Sequence, residues 1–291
     1  MHNWIDLGRI LKPNKNKKWY KTHTGPSFID QKNINEKKLI IYFSGRDKNN
    51  ISHIGKFIYS LKNQKIISQP KKILSPGKYG FFDQYGVSYP CIIENFMFYV
   101  GWIADKKIPF QNRLGLAQKN GKKLRKTPIL NIDEEDPLNI GSCFILKKNK
   151  YMMWYTSFLK YKKIKNKNIH FYTIKYAESN NLFKWKKKGI VIKLKKNEII
   201  CCKPSVIYFK KKYHMWFCSR GKNYNIQYAQ SSNGIDWKRN NLLSKFNLIK
   251  KKWNSNAMSY PSVFKINNNI YMTYNGNNYG KNGIGLLKLE L

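Results

Sequence analysis

Acidic residues are scarce in this chain: 15 Asp and Glu stand against 56 Lys and Arg, a formal net charge of +41 over 291 residues. Scarcity makes the position of each acid informative. Arginine is scarce too, with only six among the basic residues, and arginine is the side chain that reads bases and phosphates with a bidentate fork. Lysine is instead spread over the whole chain together with abundant Asn and Ile, as AT-rich codons would produce. No specific nucleic-acid groove is expected, only nonspecific adsorption at low salt. Five cysteines cannot all pair and none shows C-x-x-C spacing, so they read as small buried hydrophobes in a reducing compartment. The opening MHNWIDLGRILKPNK has no apolar signal core, and no apolar run approaches a membrane span; a cytoplasmic location is expected. The five histidines form no H-E-x-x-H ligand set, and neither a glycine-rich phosphate loop nor a G-x-S-x-G elbow occurs. Hence no metal and no cofactor are expected. Sustained helical periodicity and a Pro/Gly/Ser-rich linker are also missing, which leaves a single all-β domain over residues 1–291.

What is present is repetition. An aromatic-rich strand motif recurs as LIIYFSGR from Leu39, FMFYVGW from Phe96, YMMWYTS from Tyr151, YHMWFCS from Tyr213 and IYMTYNG from Ile270. The spacing, roughly 50 to 65 residues, is close to that of propeller or solenoid repeats. Each copy is followed by a second alternating run, such as ISHIGKFIYS from Ile51 or YNIQYAQSS from Tyr224. Each is also preceded by a short strand, four of which begin at a proline: Pro26, Pro90, Pro204 and Pro261. Proline is tolerated at the first position of a strand but not in its middle. A fourth strand follows in four units, as in FKWKKKGIVI from Phe183. The last unit ends with the chain, and WIDLGRIL from Trp4 supplies the missing strand. The expectation is a five-bladed β-propeller closed by its N-terminal strand, which removes an open sheet edge.

A propeller gathers the starts of its innermost strands and the ends of its second strands around one end of a central channel. Before or in the inner strands stand His23, Asp83, Asp136, Ser142, Glu198, Lys203 and Tyr260. The ends of the second strands add Arg46, Asp47, Trp102, Arg220, Asn275 and Asn277, while His53 falls in blade one. Paired carboxylates suit glycoside chemistry, one protonating the leaving oxygen while the other attacks or activates water. Each acid taken alone also reads as a turn cap or a salt bridge to one of the many lysines. Tyr89, Tyr155, Tyr260 and Trp102 with Asn side chains would match the apolar faces and hydroxyls of a sugar, although most strand aromatics must be core.

The strings IYFSGRDKNNISHIG, FFDQYGVSYPCII, EDPLNIGSCFIL, KPSVIY with MWFCSRG, and SYPSVF with MTYNGNNYG together resemble a glycosidase-like five-bladed propeller family related to glycoside hydrolase families 43 and 32. The resemblance covers the chain from Trp19 to Leu291. It implies a carbohydrate-related role in surface-polysaccharide or nucleotide-sugar metabolism. It also implies functional polar positions at His23, Arg46, Asp47, His53, Asp83, Asn112, Asp136, Glu198, Asn275 and Asn277. Better-known relatives carry acids where this chain has Gly25, Tyr89 and the pair Gly141 and Ser142, so their carboxylate triad is missing. The reading that follows is action on a glycosidic bond of a carbohydrate or glycosylated small molecule. In it Asp83 and Glu198 serve as acid and base and Asp47 acts beside Arg46 and His23. The alternative is a noncatalytic carbohydrate-binding propeller.

Overall fold

The computed structural model describes residues 3–32, 34–103, 110–164, 167–246 and 253–290. Residues 165 and 166 of the lysine-rich turn after Lys160, and the first two residues of the opening stretch read for a signal sequence, lie outside the described residues. Apart from one 3-10 turn at Asn278–Gly280, the elements are strands. The first is β1 (Asn3–Leu11), followed by an antiparallel meander of β2 (His23–Ile29), β3 (Leu39–Arg46), β4 (Ser52–Ser60) and β5 (Lys65–Leu74). A second meander comprises β6 (Val87–Ile93), β7 (Phe96–Ile103) and β8 (Gln111–Gln118). The third comprises β9 (Ile140–Lys147), β10 (Tyr151–Ile164), β11 (Lys167–Ser179) and β12 (Lys186–Ile192). The fourth is β13 (Ile200–Phe209), β14 (Lys212–Arg220), β15 (Tyr224–Ser231) and β16 (Lys238–Asn240), joined to the third by one parallel bridge between Tyr172 and Ile200. The last is β17 (Ser259–Ile266), β18 (Asn269–Asn275) and β19 (Ile284–Glu290), and β1 pairs antiparallel with β19 as its fourth strand.

Burial explains the composition of each layer. The second strand of a meander is covered on both faces, so YHMWFCS in β14 is buried without alternation, as expected for sheets packed on either side. Outer strands meet water, and β12, KKKGIVI, carries its lysines on an alternately exposed edge. Much of the large positive charge is thus a solvated rim with edge lysines that also discourage edge-to-edge pairing. The second meander departs from the sequence reading. Where a fourth strand was expected, residues 119–130 make only isolated bridges, Ala117 to Lys123 and Leu114 to Leu130. That stretch holds Pro128 and a lysine-rich run without alternation, and neither sustains a ladder.

The inner strands also begin earlier than expected, and the difference matters for function. β6 starts at Val87, β13 at Ile200 and β17 at Ser259, so each runs through its proline. The ladder survives because every inner strand bulges there. Two residues, Gly25 and Pro26, oppose Ser44; Tyr89 and Pro90 oppose Tyr99; Lys203 and Pro204 oppose Phe217; Tyr260 and Pro261 oppose Tyr274. In the third meander Gly141 and Ser142 take the same place opposite Thr156. A bulge leaves its extra residue outside the ladder, so the proline's missing N–H costs nothing there.

Side chains of the second strands then tie neighbouring sheets together through these bulges. The Tyr89 N–H donates to Ser44 Oγ at 2.9 Å, the Lys203 N–H to Thr156 Oγ1 at 3.3 Å, and the Tyr260 N–H to Cys218 Sγ at 2.9 Å. Asn275 closes the same kind of link, donating through Nδ2 to the carbonyls of Thr24 and Gly283, both at 2.7 Å. Gly25 is required beside it, since a Cβ there would lie 2.1 Å from the Asn275 amide.

Candidate functional site at the bulged inner strands

Three of the bulges hold a non-glycine residue in the left-handed region: Tyr89 at φ 52°, Lys203 at φ 52° and Tyr260 at φ 58°. That conformation costs an L-residue about 1–2 kcal/mol, and such strain is retained where the surrounding structure holds the residue in place, often at functional sites. Tyr89 and Tyr260 meet edge to face with ring centroids 5.6 Å apart. Both line a cavity of about 180 Å³, whose other aromatic walls are Phe110, Phe158, Tyr172 and Tyr224. Asn112, Ser142 and Thr156 add polar groups to the same wall, and Ser142 and Thr156 share a hydrogen bond of 3.1 Å. Among the described residues no carboxylate lines it. Burial pushes the Tyr89, Tyr172, Tyr224 and Tyr260 phenols upward, so all four stay protonated at neutral pH and can donate as well as accept.

A second depression adjoins the first through their shared wall, Tyr224, and is lined by Arg220, Asn256, Ser259, Asn277 and Tyr279 among others. The Arg220 guanidinium lies over the Tyr224 ring at 5.2 Å. Asn277 Oδ1 accepts the N–H groups of Asn256 and Ala257 at 2.9 and 3.0 Å and so fixes the loop.

His23, Arg46, Asp47, His53 and Trp102 gather at the ends of β2, β3, β4 and β7. His23 pairs with Arg46 across the ladder, and burial, followed by the charges of Arg46 and Lys281, brings its imidazole down to about 4. Arg46 donates to Asn50 Oδ1 at 2.9 Å and lies 5.9 Å over the Trp102 ring, whose Nε1 donates to Ser52 at 2.8 Å. Asp47 accepts the N–H groups of Asn49 and Ile51 at 2.8 and 2.9 Å, and its other oxygen is 3.8 Å from His53 Nε2. Burial, and then Lys72, lowers the His53 pKa against the opposing pull of Asp47.

The three loop acids are placed differently. Asp83 is buried, and its Oδ2 accepts from Tyr99 at 3.0 Å and faces Lys123 Nζ at 2.7 Å. Asp136 is completely buried between Lys187 at 2.6 Å and Lys175 at 3.0 Å, and it accepts from Tyr155 and Ser157. Glu198 takes a bidentate pair from Arg239 at 2.8 and 2.6 Å, with Ser219 Oγ at 2.5 Å and the Lys195 N–H at 2.9 Å. Burial opposes its ionisation, yet Arg239, Ser219 and that N–H bring Glu198 down to about 2. Each acid thus fastens the loop before an inner strand to later strands of its own meander. None of the three lines the cavity. Tyr155 belongs to the same fastening, whereas Tyr89, Asn112, Ser142 and Tyr260 do reach the cavity. Phe110, Phe158, Tyr172 and Tyr224 were not distinguished by sequence reasoning. Tyr224 opens β15 and Phe110 directly precedes β8, whereas Phe158 and Tyr172 lie in the middle of β10 and β11, so no single strand position marks the four.

Lys203 is 1% exposed, and among the described residues its Nζ has one partner, the Pro261 carbonyl at 3.5 Å. Burial lowers its pKa, while the thiols of Cys91, Cys218, Cys143 and Cys202 around it pull the other way. All five cysteines are buried and unbridged. Among the described residues no group of three or more His, Cys, Asp or Glu side chains could hold a metal ion. No helix is long and apolar enough to cross a membrane.

No family model matches the chain. Two curated relatives, "Uncharacterized protein MT1551" and "Uncharacterized protein Rv1502" of Mycobacterium tuberculosis, are each 31% identical to it over 99% of both chains. Among solved structures, a "Glycoside hydrolase" superposes at TM-score 0.75 with 13% identity, covering 98% of this chain and 90% of the other. A thermostable family-43 glycoside hydrolase superposes at 0.61 with 15% identity over 94% and 91%. A structure described as showing that the GH130 family of mannoside phosphorylases contains hydrolases of β-1,2 mannosidic linkages gives 0.70, 12%, 97% and 93%. At these identities the superpositions establish the propeller fold of glycoside hydrolases.

Proposed function

The chain belongs to the family of the two mycobacterial proteins, with the propeller fold of glycoside hydrolases, and on that premise we propose a carbohydrate-binding propeller whose ligand occupies the cavity at the bulges. We read the meanders as five blades of one domain, with β1 closing the ring. The observation that carries the reading is the cavity wall itself. Six aromatic rings interleaved with Asn112, Ser142 and Thr156 offer apolar faces and hydrogen-bonding groups together, the combination a sugar presents in return. Glycans of surface-polysaccharide or nucleotide-sugar type are the proposed ligand class.

Hydrolysis of a glycosidic bond is the second reading, favoured by the fold. It needs two carboxyl groups flanking one bond. Asp83 and Glu198 are held by Lys123 and Arg239, which leaves Asp47, beside His53, as the acid nearest an open role. Among the described residues the wall has no carboxylate, and this favours binding over cleavage.

A glycan array followed by mass spectrometry of the retained glycans separates the two. Retention of intact glycans, weakened in Phe158→Ala and unchanged in the surface variant Lys15→Gln, is the expected result. Release of shortened glycans that stops in Asp47→Asn would replace binding by hydrolysis. Failure to retain any glycan would remove both.

A further inference from the structure

The cavity and its neighbouring depression carry a chemical bias that an aromatic sugar platform alone does not need. Arg46 and Arg220 are two of only six arginines in a chain whose other 50 basic residues are lysines. Both occupy the last position of a second strand, β3 and β14, in the repeated strings SGR and CSR. Both stand two residues beyond a side chain that grips a cavity-lining tyrosine, Ser44 on the Tyr89 N–H and Cys218 on the Tyr260 N–H. Residues two apart on a strand share a face, so each arginine follows the side chain that grips its tyrosine; Arg220 lines the depression, and the charge of Arg46 acts on the cavity-lining Tyr89. Aromatic faces support both, Trp102 under Arg46 and Tyr224 under Arg220. Such stacking holds a guanidinium in place while its edge stays available.

Their partners are the second observation. Arg239 is committed to Glu198, and Arg113 is enclosed by Asn131, Asn139 and Gln111. Among the described residues, neither Arg46 nor Arg220 is paired with a carboxylate; Arg46 has Asn50, and the Arg220 Nε is buried without a partner. Among the described residues no acid lines the cavity or the depression beside it, and the buried Lys203 shares its bulge position with Tyr89 and Tyr260. A planar fork with spare donors is matched by the two oxygens of a carboxylate or phosphoryl group.

We propose that Arg46 and Arg220 make this site selective for anionic glycans, with a uronate or phosphate-ester oxyanion of the ligand bound by a guanidinium fork at the edge of the aromatic cavity. This rests on the carbohydrate reading above.

The test uses the full chain on an array with neutral, uronate-bearing and phosphorylated glycans in about 0.15 M salt, where charges farther than about 8 Å apart are largely screened. Retention should concentrate on one or both acidic arms, and which arm prevails identifies the oxyanion. Arg46→Gln and Arg220→Gln should each weaken it by about tenfold or more. Arg220→Lys, which keeps the charge and loses the fork, should not restore it, and Lys15→Gln, an equal charge change on the rim, should leave it unaltered. Equal retention of neutral and acidic glycans, or equal losses in Lys15→Gln and the arginine variants, would overturn the proposal and leave the carbohydrate reading standing. Retention of no glycan in any arm would overturn both. Thermal unfolding of each variant separates loss of the site from loss of the fold.

Discussion

The loops before the inner strands and the bulges a few residues later are adjacent in sequence and opposite in electrostatic design. In the loops, Asp136 meets two ammonium groups and two hydroxyls, and Glu198 meets a guanidinium, a hydroxyl and a backbone N–H. At the bulges, tyrosine hydroxyls face a cavity, Lys203 has one distant carbonyl, and Arg220 keeps a buried Nε without a partner. The first region commits most of its polar groups to holding each loop to its own blade, although Asp83 Oδ1 and Arg239 Nε are buried without a partner. The second leaves hydrogen-bonding capacity unspent, which is what a ligand site requires. Substitutions in the two regions should therefore differ in sign and in what they disturb.

The largest effect belongs to Asp136. Removing it in Asp136→Ala leaves Lys175 and Lys187 without the carboxylate they share, and breaking a buried pair from one side costs about 3–5 kcal/mol. A drop of that size in urea-unfolding free energy is expected. A drop below about 1 kcal/mol would show that the loop acids are not fasteners and would dissolve the contrast.

Glu198 comes next and adds a pH signature. Its folded pKa of about 2 lies below the ordinary 4.5, so the folded state holds its carboxylate more tightly charged than the unfolded chain does. The stabilisation is complete above 4.5 and is lost as pH falls toward 2, amounting to about 2–3 kcal/mol. The gap in stability between the wild type and Glu198→Gln should close across that window. A constant gap would mean that packing, and not charge, explains the loss.

The blades were legible in the sequence because aromatic alternation is a local signal, repeated at each second strand from Leu39 to Ile270. Trp4 to Leu11 was legible as the partner of the last strand because it matches the outer-strand pattern, and β1 does pair with β19. The bulges were not legible. Proline at the start of a short apolar run reads as a strand boundary, whereas a two-against-one register depends on the neighbouring strand. The acids stood out for the right reason, their rarity, but their partners Lys123, Lys187 and Arg239 come from later segments that only folding brings back. Of the aromatic cavity, Tyr89 and Tyr260 were visible beside their prolines; Tyr172 and Tyr224 looked like core because strand alternation does not show which apolar residues face a cavity and which face a neighbouring sheet.

Lys203 sharpens the comparison by reversing its sign. It is buried at a bulge beside four thiols and has no carboxylate partner, so its charge costs the fold more than it returns. Lys203→Met keeps the length and the left-handed backbone demand, and replacing an unpaired buried charge by a hydrophobe should leave stability unchanged or raise it by about 1 kcal/mol. A loss of more than about 2 kcal/mol would indicate that Lys203 is a fastener like Arg239.

The smallest effect on stability should come from Tyr172, where the two regions can be told apart by a single oxygen. Tyr172 is partly buried, its ring centroid lies 3.9 Å from that of Phe158, and its hydroxyl makes no hydrogen bond among the described residues. Tyr155, by contrast, donates its hydroxyl to Asp136 at 3.0 Å. Tyr172→Phe keeps the ring contact and removes only a hydroxyl without a partner among the described residues, so stability should stay within about 0.5 kcal/mol of the wild type. Tyr155→Phe deletes a donor to a buried carboxylate and should cost about 1.5–3 kcal/mol. Glycan retention should respond the other way, falling severalfold in Tyr172→Phe and holding steady in correctly folded Tyr155→Phe. Equal retention in the two variants would place the ligand elsewhere on the propeller, because the same chemical change at the cavity wall and at a fastener would then carry the same information.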